Sequence, residues 1–264
     1  MPLNIIDTHA HLDMPEFDSD RETVIKRAVA AGVSYIITNG IDLESSRKAV
    51  HLSEKYPSVF ATVGFHPQDA GKMRPGDVDE LARLAEHPRV VAIGEIGLDY
   101  YREKAPRQIQ QQVLNRQLAL AVTMDLPVVI HARQAEPDII GILENWVLTR
   151  KIDPGKIGVI HCFNGNHTIA QKYLEMGFHL GLDAYIGYPS SRMSDVIRSI
   201  PADRLLIETD CPFLPPQNYR GQRNEPSYLP LTLATLAEIR SEPPKKTARQ
   251  TSENARFLFS KIIF

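Results

Sequence analysis

The sequence predicts an α/β fold: a single (β/α)8 barrel of the TIM type over residues 1–264, with the active site at the C-terminal ends of its strands. Three observations lead there. Eight short runs are almost continuously apolar, as parallel strands covered on both faces must be. Longer amphipathic stretches separate them. The runs end near residues 9, 39, 65, 95, 131, 161, 182 and 208, at intervals of 21 to 36 residues, about the length of one strand-plus-helix unit. The intervals share no repeated sequence, so the period belongs to the architecture and not to a solenoid. An open doubly wound sheet is the competing arrangement.

The first strand is "NIIDTHA" (4–10), followed by an amphipathic helix over 19–31 that Ser19 opens and Gly32 closes. "VSYIITN" (33–39), "VFATVGF" (59–65) and "VVAIGE" (90–95) are the next three strands. A helix over 106–124 follows, with Ile109, Val113, Leu114, Leu118 and Ala121 at helical spacing and Pro106 near its start. "PVVIHA" (127–132), "IGVIHC" (157–162), "FHLGL" (178–182) and "RLLIE" (204–208) complete the eight. Helices are expected over 228–240 and 245–260, with "SEPPKK" (241–246) between them and no new domain beginning there.

Composition excludes several classes. The chain is 43% hydrophobic and 23% charged, enough for a sizeable core, and its formal net charge is −2. No global basic field is available for nucleic acid, so phosphate binding must come from local groups. Two cysteines, Cys162 and Cys211, make no disulfide framework and suit a reduced cytoplasmic location. The first strand starts too early for a signal peptide. No apolar run approaches the ~20 residues of a membrane span, and nothing points to an obligate protein partner.

The unusual residues gather at one end of the expected barrel. His9 and His11 close the first strand, and alternation within a strand points both imidazoles the same way. His66 ends the third strand, Glu95 the fourth, His131 the fifth and His161 the sixth, and Asp210 follows the eighth. Imidazoles and carboxylates converging on one rim are a divalent-metal ligand set. Six candidate ligands exceed what one open tetrahedral ion needs. A two-ion site follows, with Glu95 able to bridge through its two oxygens.

Other residues have plainer readings beside the functional ones. His51 and His87 suit surface or capping positions and His167 the start of a helix, while His179, within the seventh strand, stays open between the site and a core or helix-facing position. Cys162 and Cys211 are extra ligands or, since strand neighbours alternate faces, buried small side chains. Asp99 either orients a ligand or caps a loop. Glu208 either supports the site from inside the barrel or is paired elsewhere. Arg220, Arg223 and Asn224 lie in "PPQNYRGQRNEPSYLP", where they suit an anionic substrate or an ordinary solvated loop. Arg133 shares the side of His131 if its strand persists. Tyr100, Tyr101 and Tyr219 are candidates to stack on a base.

The stretches "IDTHAHLD", "VGFHP", "AIGEIGLDYY", "PVVIHAR", "VIHCFNG", "LLIETDCPFLPP" and "YRGQRNEP", with "SENARFLF" near the end, resemble the TatD family of metal-dependent deoxyribonucleases, within the amidohydrolase-like barrels. The resemblance implies that His9, His11, Glu95, His131, His161 and Asp210 bind metal and that His66 faces the substrate phosphate or assists catalysis. Some members of the superfamily bridge their ions with a carbamylated lysine; the corresponding position here is Glu95. One departure is the seventh strand, which commonly runs into an "SG" pair in the family and here reads "GFHLGLDAYIGYPSSR", where Asp183 could add a carboxylate.

The function expected from these observations is hydrolysis of DNA phosphodiesters, as a 3'-end exonuclease on single strands, by a metal-activated water. Asp210 would also accept that water's proton. The near-neutral charge favours strand ends over extended duplex. His-rich ligation suits Zn²⁺ or Mn²⁺, while the resemblance implies Mg²⁺-supported activity. The alternative is a metal-dependent deacylase or amidohydrolase acting on a small molecule or aminoacyl ester, because the same ligands would serve it. A closed, non-catalytic metal protein is the third reading.

Overall fold

The computed structural model describes residues 4–149 and 155–262. Its eight strands are β1 (Ile5–Ala10), β2 (Val33–Asn39), β3 (Val59–Val63), β4 (Val90–Asp99), β5 (Val128–Arg133), β6 (Gly158–Ile160), β7 (His179–Leu182) and β8 (Leu205–Ile207). They form one sheet in sequence order, and every neighbouring pair is parallel. Just past its two ends the sheet meets itself. The Asp210 N–H donates to the His9 carbonyl at 2.9 Å, and the His11 N–H donates to the Cys211 carbonyl at 2.8 Å. An open sheet would hold these strands at opposite edges, so the nearly closed barrel is the fold.

Helices α1 (Arg21–Ala30), α2 (Leu43–Lys55), α3 (Asp77–Ala85), α4 (Arg107–Met124), α5 (Glu136–Thr149), α6 (His167–Glu175), α7 (Ser194–Ser199), α8 (Leu229–Ile239) and α9 (Pro244–Leu258) alternate with the strands or follow the last. In α4, Val113, Leu114, Leu118 and Ala121 are buried, as their spacing predicts. Helix α1 starts at Arg21, later than the sequence suggests. Asp20 precedes it without capping it, because its carboxylate is taken by Arg223 and Arg27. The two prolines of "SEPPKK" set the entry to α9, with Pro244 in its first turn, where a missing N–H costs nothing.

Two apolar layers hold the barrel. The larger lies between the sheet and its helices. The smaller fills the barrel's lower interior with Ile6, Ile37, Phe60, Val129, Val159 and Leu206, and α9 closes it from below with Ala255 and Leu258. Inward positions change character as the strands rise: Val129 gives way to His131, Val159 to His161, and Leu206 to Glu208. That alternation by two is strand geometry, and it delivers polar groups to the top of a dry plug. Among the described residues no helix is long and apolar enough to cross a membrane.

Candidate metal centre

The six expected ligands meet above the plug in two groups, and Glu95 belongs to both. Its Oε2 lies 3.4 Å from His9 Nε2 and 3.6 Å from His11 Nε2. Those two nitrogens are 3.2 Å apart, and Asp210 Oδ1 lies 3.7 and 3.4 Å from them. The other oxygen, Oε1, lies 2.9 Å from His131 Nδ1 and 2.8 Å from His161 Nε2, which are 3.1 Å from each other. Ligands held about 2.0–2.1 Å from a tetrahedral ion are about 3.3 Å from one another, so the first group has the spacing a cation needs. Among the described residues, His9 Nδ1 has no hydrogen-bond partner. The donor set, four imidazoles and two buried carboxylates, therefore fits divalent metal.

A hydrogen bond decides which nitrogen is free in His11 and His66, while His131 Nε2 and His161 Nδ1 only face a carboxylate. His11 Nδ1 lies 3.1 Å from the Asn39 carbonyl, an acceptor, so this nitrogen carries the proton and Nε2 keeps its lone pair. His131 Nε2 faces Asp99 Oδ2 at 3.3 Å, somewhat off the ideal hydrogen-bond line, which leaves Nδ1 for the cluster. His161 Nδ1 faces Glu208 Oε1 at 3.6 Å. His66 is arranged the other way. The Gln68 backbone N–H donates to His66 Nδ1 at 3.1 Å, so its proton sits on Nε2, 3.4 Å from Glu95 Oε1. This makes His66 a hydrogen-bond donor aimed at the cluster, unlike the rings expected to ligate. Burial lowers its pKa to about 3 and keeps it neutral.

Electrostatics bind the cluster together. Burial opposes charge on His11, but the Asp210 and Glu95 carboxylates outweigh it and raise His11 to about 9. Burial likewise opposes the Asp210 and Glu95 charges, and the surrounding imidazoles hold both below the usual carboxylate range. Protons and metal compete for the same lone pairs, so metal affinity falls in acid.

Sequence reasoning left Asp99 and Glu208 open, and the structure puts them behind His131 and His161. Asp99 also accepts the Tyr101 and Arg102 N–H groups, so it caps the loop and faces His131 at once. Glu208 accepts from the Cys162 N–H at 2.5 Å and from Thr8 Oγ1 at 3.4 Å. Gly181 leaves room for it, since a Cβ there would lie 2.4 Å from Glu208 Oε2. Asp7 was not singled out. Its carboxylate accepts the Thr209 N–H and hydroxyl at 3.0 and 2.7 Å, fixing the residue before Asp210, and burial lifts its pKa to about 8. A buried Asp two before the first histidine was the available signal.

Some expectations need correction. Strand β4 runs on to Asp99, so Glu95 lies within it and not at its end. Cys162 lies beyond β6 with a left-handed backbone, φ 46°, so strand alternation does not apply. Its Sγ turns toward Asp183 Oδ2 at 3.4 Å and lies near His161 and Asp210. Cys211 is buried, and His179 lies in the core near Phe257. Asn224 is fully buried and donates to the Thr209, Phe213 and Leu214 carbonyls, so it shapes the loop and cannot meet substrate. Arg223 is held by Asp20 at 2.8 and 2.7 Å and does not line the cavity. Arg220 lies over the Tyr188 ring, also outside the lining. Tyr219 stacks on Tyr228, and the Tyr100 hydroxyl is bound to Asp138.

Over the cluster opens a cavity of about 560 Å³. Arg133 does line it, its guanidinium 4.2 Å from the centre of the exposed Tyr101 ring. Arg102 and Lys104 line the same side, and neither makes an ion pair among the described residues. Sequence reasoning missed both, although "YREK" places two cations just past β4 on the ligand rim.

The comparisons with known proteins agree with this geometry. A family model described as TatD related DNase matches residues 6–260. The chain belongs to the TatD family. This TatD chain is 40% identical over 256 residues to the uncharacterized metal-dependent hydrolase YabD of Bacillus subtilis, covering 97% of the chain and 98% of YabD. It is 34% identical to the 3'-5' ssDNA/RNA exonuclease TatD of Salmonella typhimurium, covering 98% and 100%. The crystal structure of YjjV, a TatD homolog from Escherichia coli, superposes with a TM-score of 0.92 at 34% identity, covering 98% and 99%. As a TatD-family member the chain is a metal-dependent hydrolase, and its His, Glu and Asp cluster is the part able to bind metal.

Proposed function

We propose that this protein is a 3'-end exonuclease that hydrolyses phosphodiesters of single-stranded DNA with two divalent ions. The observation that carries the reading is the division of Glu95: one oxygen faces His9, His11 and Asp210, the other His131 and His161, beneath a rim bearing Arg102, Lys104 and Arg133. His9, His11, Glu95 and Asp210 would hold one ion, and His131, His161 and Glu95 the other. Mg²⁺ or Mn²⁺ is proposed for turnover, with Zn²⁺ also suited to so many imidazoles. The relatives named as ssDNA/RNA exonucleases support the substrate class.

Divalent ions bound here would acidify a water and neutralise charge developing on the phosphoryl oxygens. Asp210, held anionic by its histidine neighbours, accepts the proton of the attacking water. His66 donates its Nε2 hydrogen to a phosphoryl oxygen, a contact that strengthens as negative charge builds. Asp99 keeps the His131 proton on Nε2, and Glu208 faces His161. Arg133, Arg102 and Lys104 hold the phosphates upstream of the scissile one. Arg220 and Arg223 have no part in this step. Residues 1–264 act as one hydrolase domain, because a single barrel runs from Ile5 to Ile207 and α9 packs back into its base. The unpaired cysteines suit the cytoplasm.

End-labelled single-stranded DNA incubated with purified protein and Mg²⁺ or Mn²⁺ tests this. Mononucleotides should be released from the 3' end, and His131→Ala and Asp210→Asn should abolish release. Absence of release across divalent metals, with hydrolysis of amide or aminoacyl-ester substrates instead, would replace the reading with the deacylase one.

A further inference from the structure

The cavity above the cluster has two unlike walls. One carries Arg102, Lys104 and Arg133, from β5 and the loop after β4. The other carries Met14, Phe213 and Leu214, from the loops after β1 and β8. In a barrel ordered β1 to β8, strands β8 and β1 lie opposite β4 and β5, so the walls face each other across the ligands. The apolar wall is exposed, with Phe213 46% and Leu214 38% accessible. It is also held in place. The Phe213 N–H donates to the Asp210 carbonyl at 2.9 Å. Buried Asn224 binds the Phe213 and Leu214 carbonyls at 2.6 and 3.3 Å. The Phe213 ring centre lies 6.0 Å from that of His11. A large aromatic exposed on a pinned loop beside a ligand is positioned for contact.

We infer that Phe213 is the platform on which the base of the 3'-terminal nucleotide stacks while the scissile phosphate lies over the cluster. The inference rests on the exonuclease reading and adds the side from which the strand enters. Upstream nucleotides each bring a phosphate and match the cationic wall. The terminal nucleoside brings a base and a sugar but no further phosphate, and matches the wall without cations. A phenyl ring offers a face and no hydrogen-bonding edge, so any base is accepted. A base paired and stacked in a duplex cannot reach this ring until it leaves the helix, which gives the preference for single strands a physical origin.

The test uses metal-loaded protein and an oligonucleotide ending in 2-aminopurine behind a 3'-terminal phosphorothioate, which slows cleavage. Binding to wild type should quench the terminal fluorophore. Phe213→Ala should remove the quench and weaken binding about 10-fold, within the range base–aromatic stacking supplies. Phe213→Trp should restore both, and Phe213→Leu, which keeps bulk without an aromatic face, should not. With ordinary linkages, wild type should prefer a base-bearing terminus to an abasic one by a similar factor in KM, and Phe213→Ala should lose that preference. Equal quenching in wild type and Phe213→Ala, or equal handling of abasic and base-bearing ends by wild type that still cuts DNA, would overturn this assignment alone. Wild type that neither binds nor cuts any single strand would overturn it together with the exonuclease reading.

Discussion

Asp99→Asn keeps the shape of a side chain and removes its charge and one acceptor. Asp99 Oδ1 accepts two backbone N–H groups, from Tyr101 and Arg102, at 3.0 and 2.9 Å. An asparagine would place its oxygen there, leaving its NH₂ where Oδ2 now meets Gln68 Nε2 at 2.9 Å and faces His131 Nε2 at 3.3 Å. Gln68 can turn its amide over and offer its oxygen. His131 cannot adapt so cheaply: to face a donor it must move its proton to Nδ1, the atom 2.9 Å from Glu95 and 3.1 Å from His161. That nitrogen then has no lone pair for metal. Asp99 Oδ2 faces His131 Nε2 at 3.3 Å without meeting hydrogen-bond geometry, so its charge, more than a hydrogen bond, sets the tautomer, and changes to groups behind metal ligands cost about 10–100-fold in affinity. Calorimetric titration of metal into stripped protein at pH 8 measures it. The His131 and His161 position should weaken by that factor, while far-UV circular dichroism stays unchanged and the His9 and His11 position keeps its affinity. Unchanged affinity at both positions, in a folded variant, would refute the tautomer argument.

Three further outcomes follow from the same geometry. His66→Ala should lower kcat about 10²–10³-fold, the usual effect of losing one oxyanion donor, with metal content by mass spectrometry unaltered; loss of a metal would make His66 a ligand instead. Gly181→Ala puts a Cβ 2.4 Å from Glu208 Oε2, and such overpacking costs about 1–3 kcal/mol, so the melting temperature should fall by several degrees and His161 should lose its backing carboxylate. His179 is buried, and burial with the Arg204 charge lowers its pKa from 6.5 to about 4. The unfolded chain therefore takes up the extra proton first, and stability falls as pH drops from about 6.5 toward 4. His179→Leu should gain about 2 kcal/mol relative to wild type between pH 8 and pH 5, read by urea denaturation at both; a constant difference would show that His179 does not titrate this way.

Much of the site was legible because barrel geometry converts sequence position into place. Once eight apolar runs recur at the strand-plus-helix interval, whatever ends each run stands on one rim, and six histidine, glutamate and aspartate residues able to bind metal stood there. Their identity needed no coordinates. The pairing of Asp20 with Arg223, which leaves α1 uncapped and removes that arginine from the cavity, was not legible: it joins residues 203 apart. The same holds for Asn224, whose donors are absorbed by carbonyls of its own loop, and for Cys162, whose left-handed backbone voids the alternation on which its reading depended.

The sequence by itself determined the fold class and the convergence of His9, His11, Glu95, His131, His161 and Asp210, since both follow from local patterns and spacing along the chain, and its motifs carried the resemblance to the family. Only the tertiary structure decided which oxygen of Glu95 faces which histidines, which ring nitrogens are free, that His66 donates where the others accept, and that cations and an aromatic occupy opposite walls. Those are relations of direction between groups on different strands, and hydrophobic periodicity carries no information about direction across a barrel.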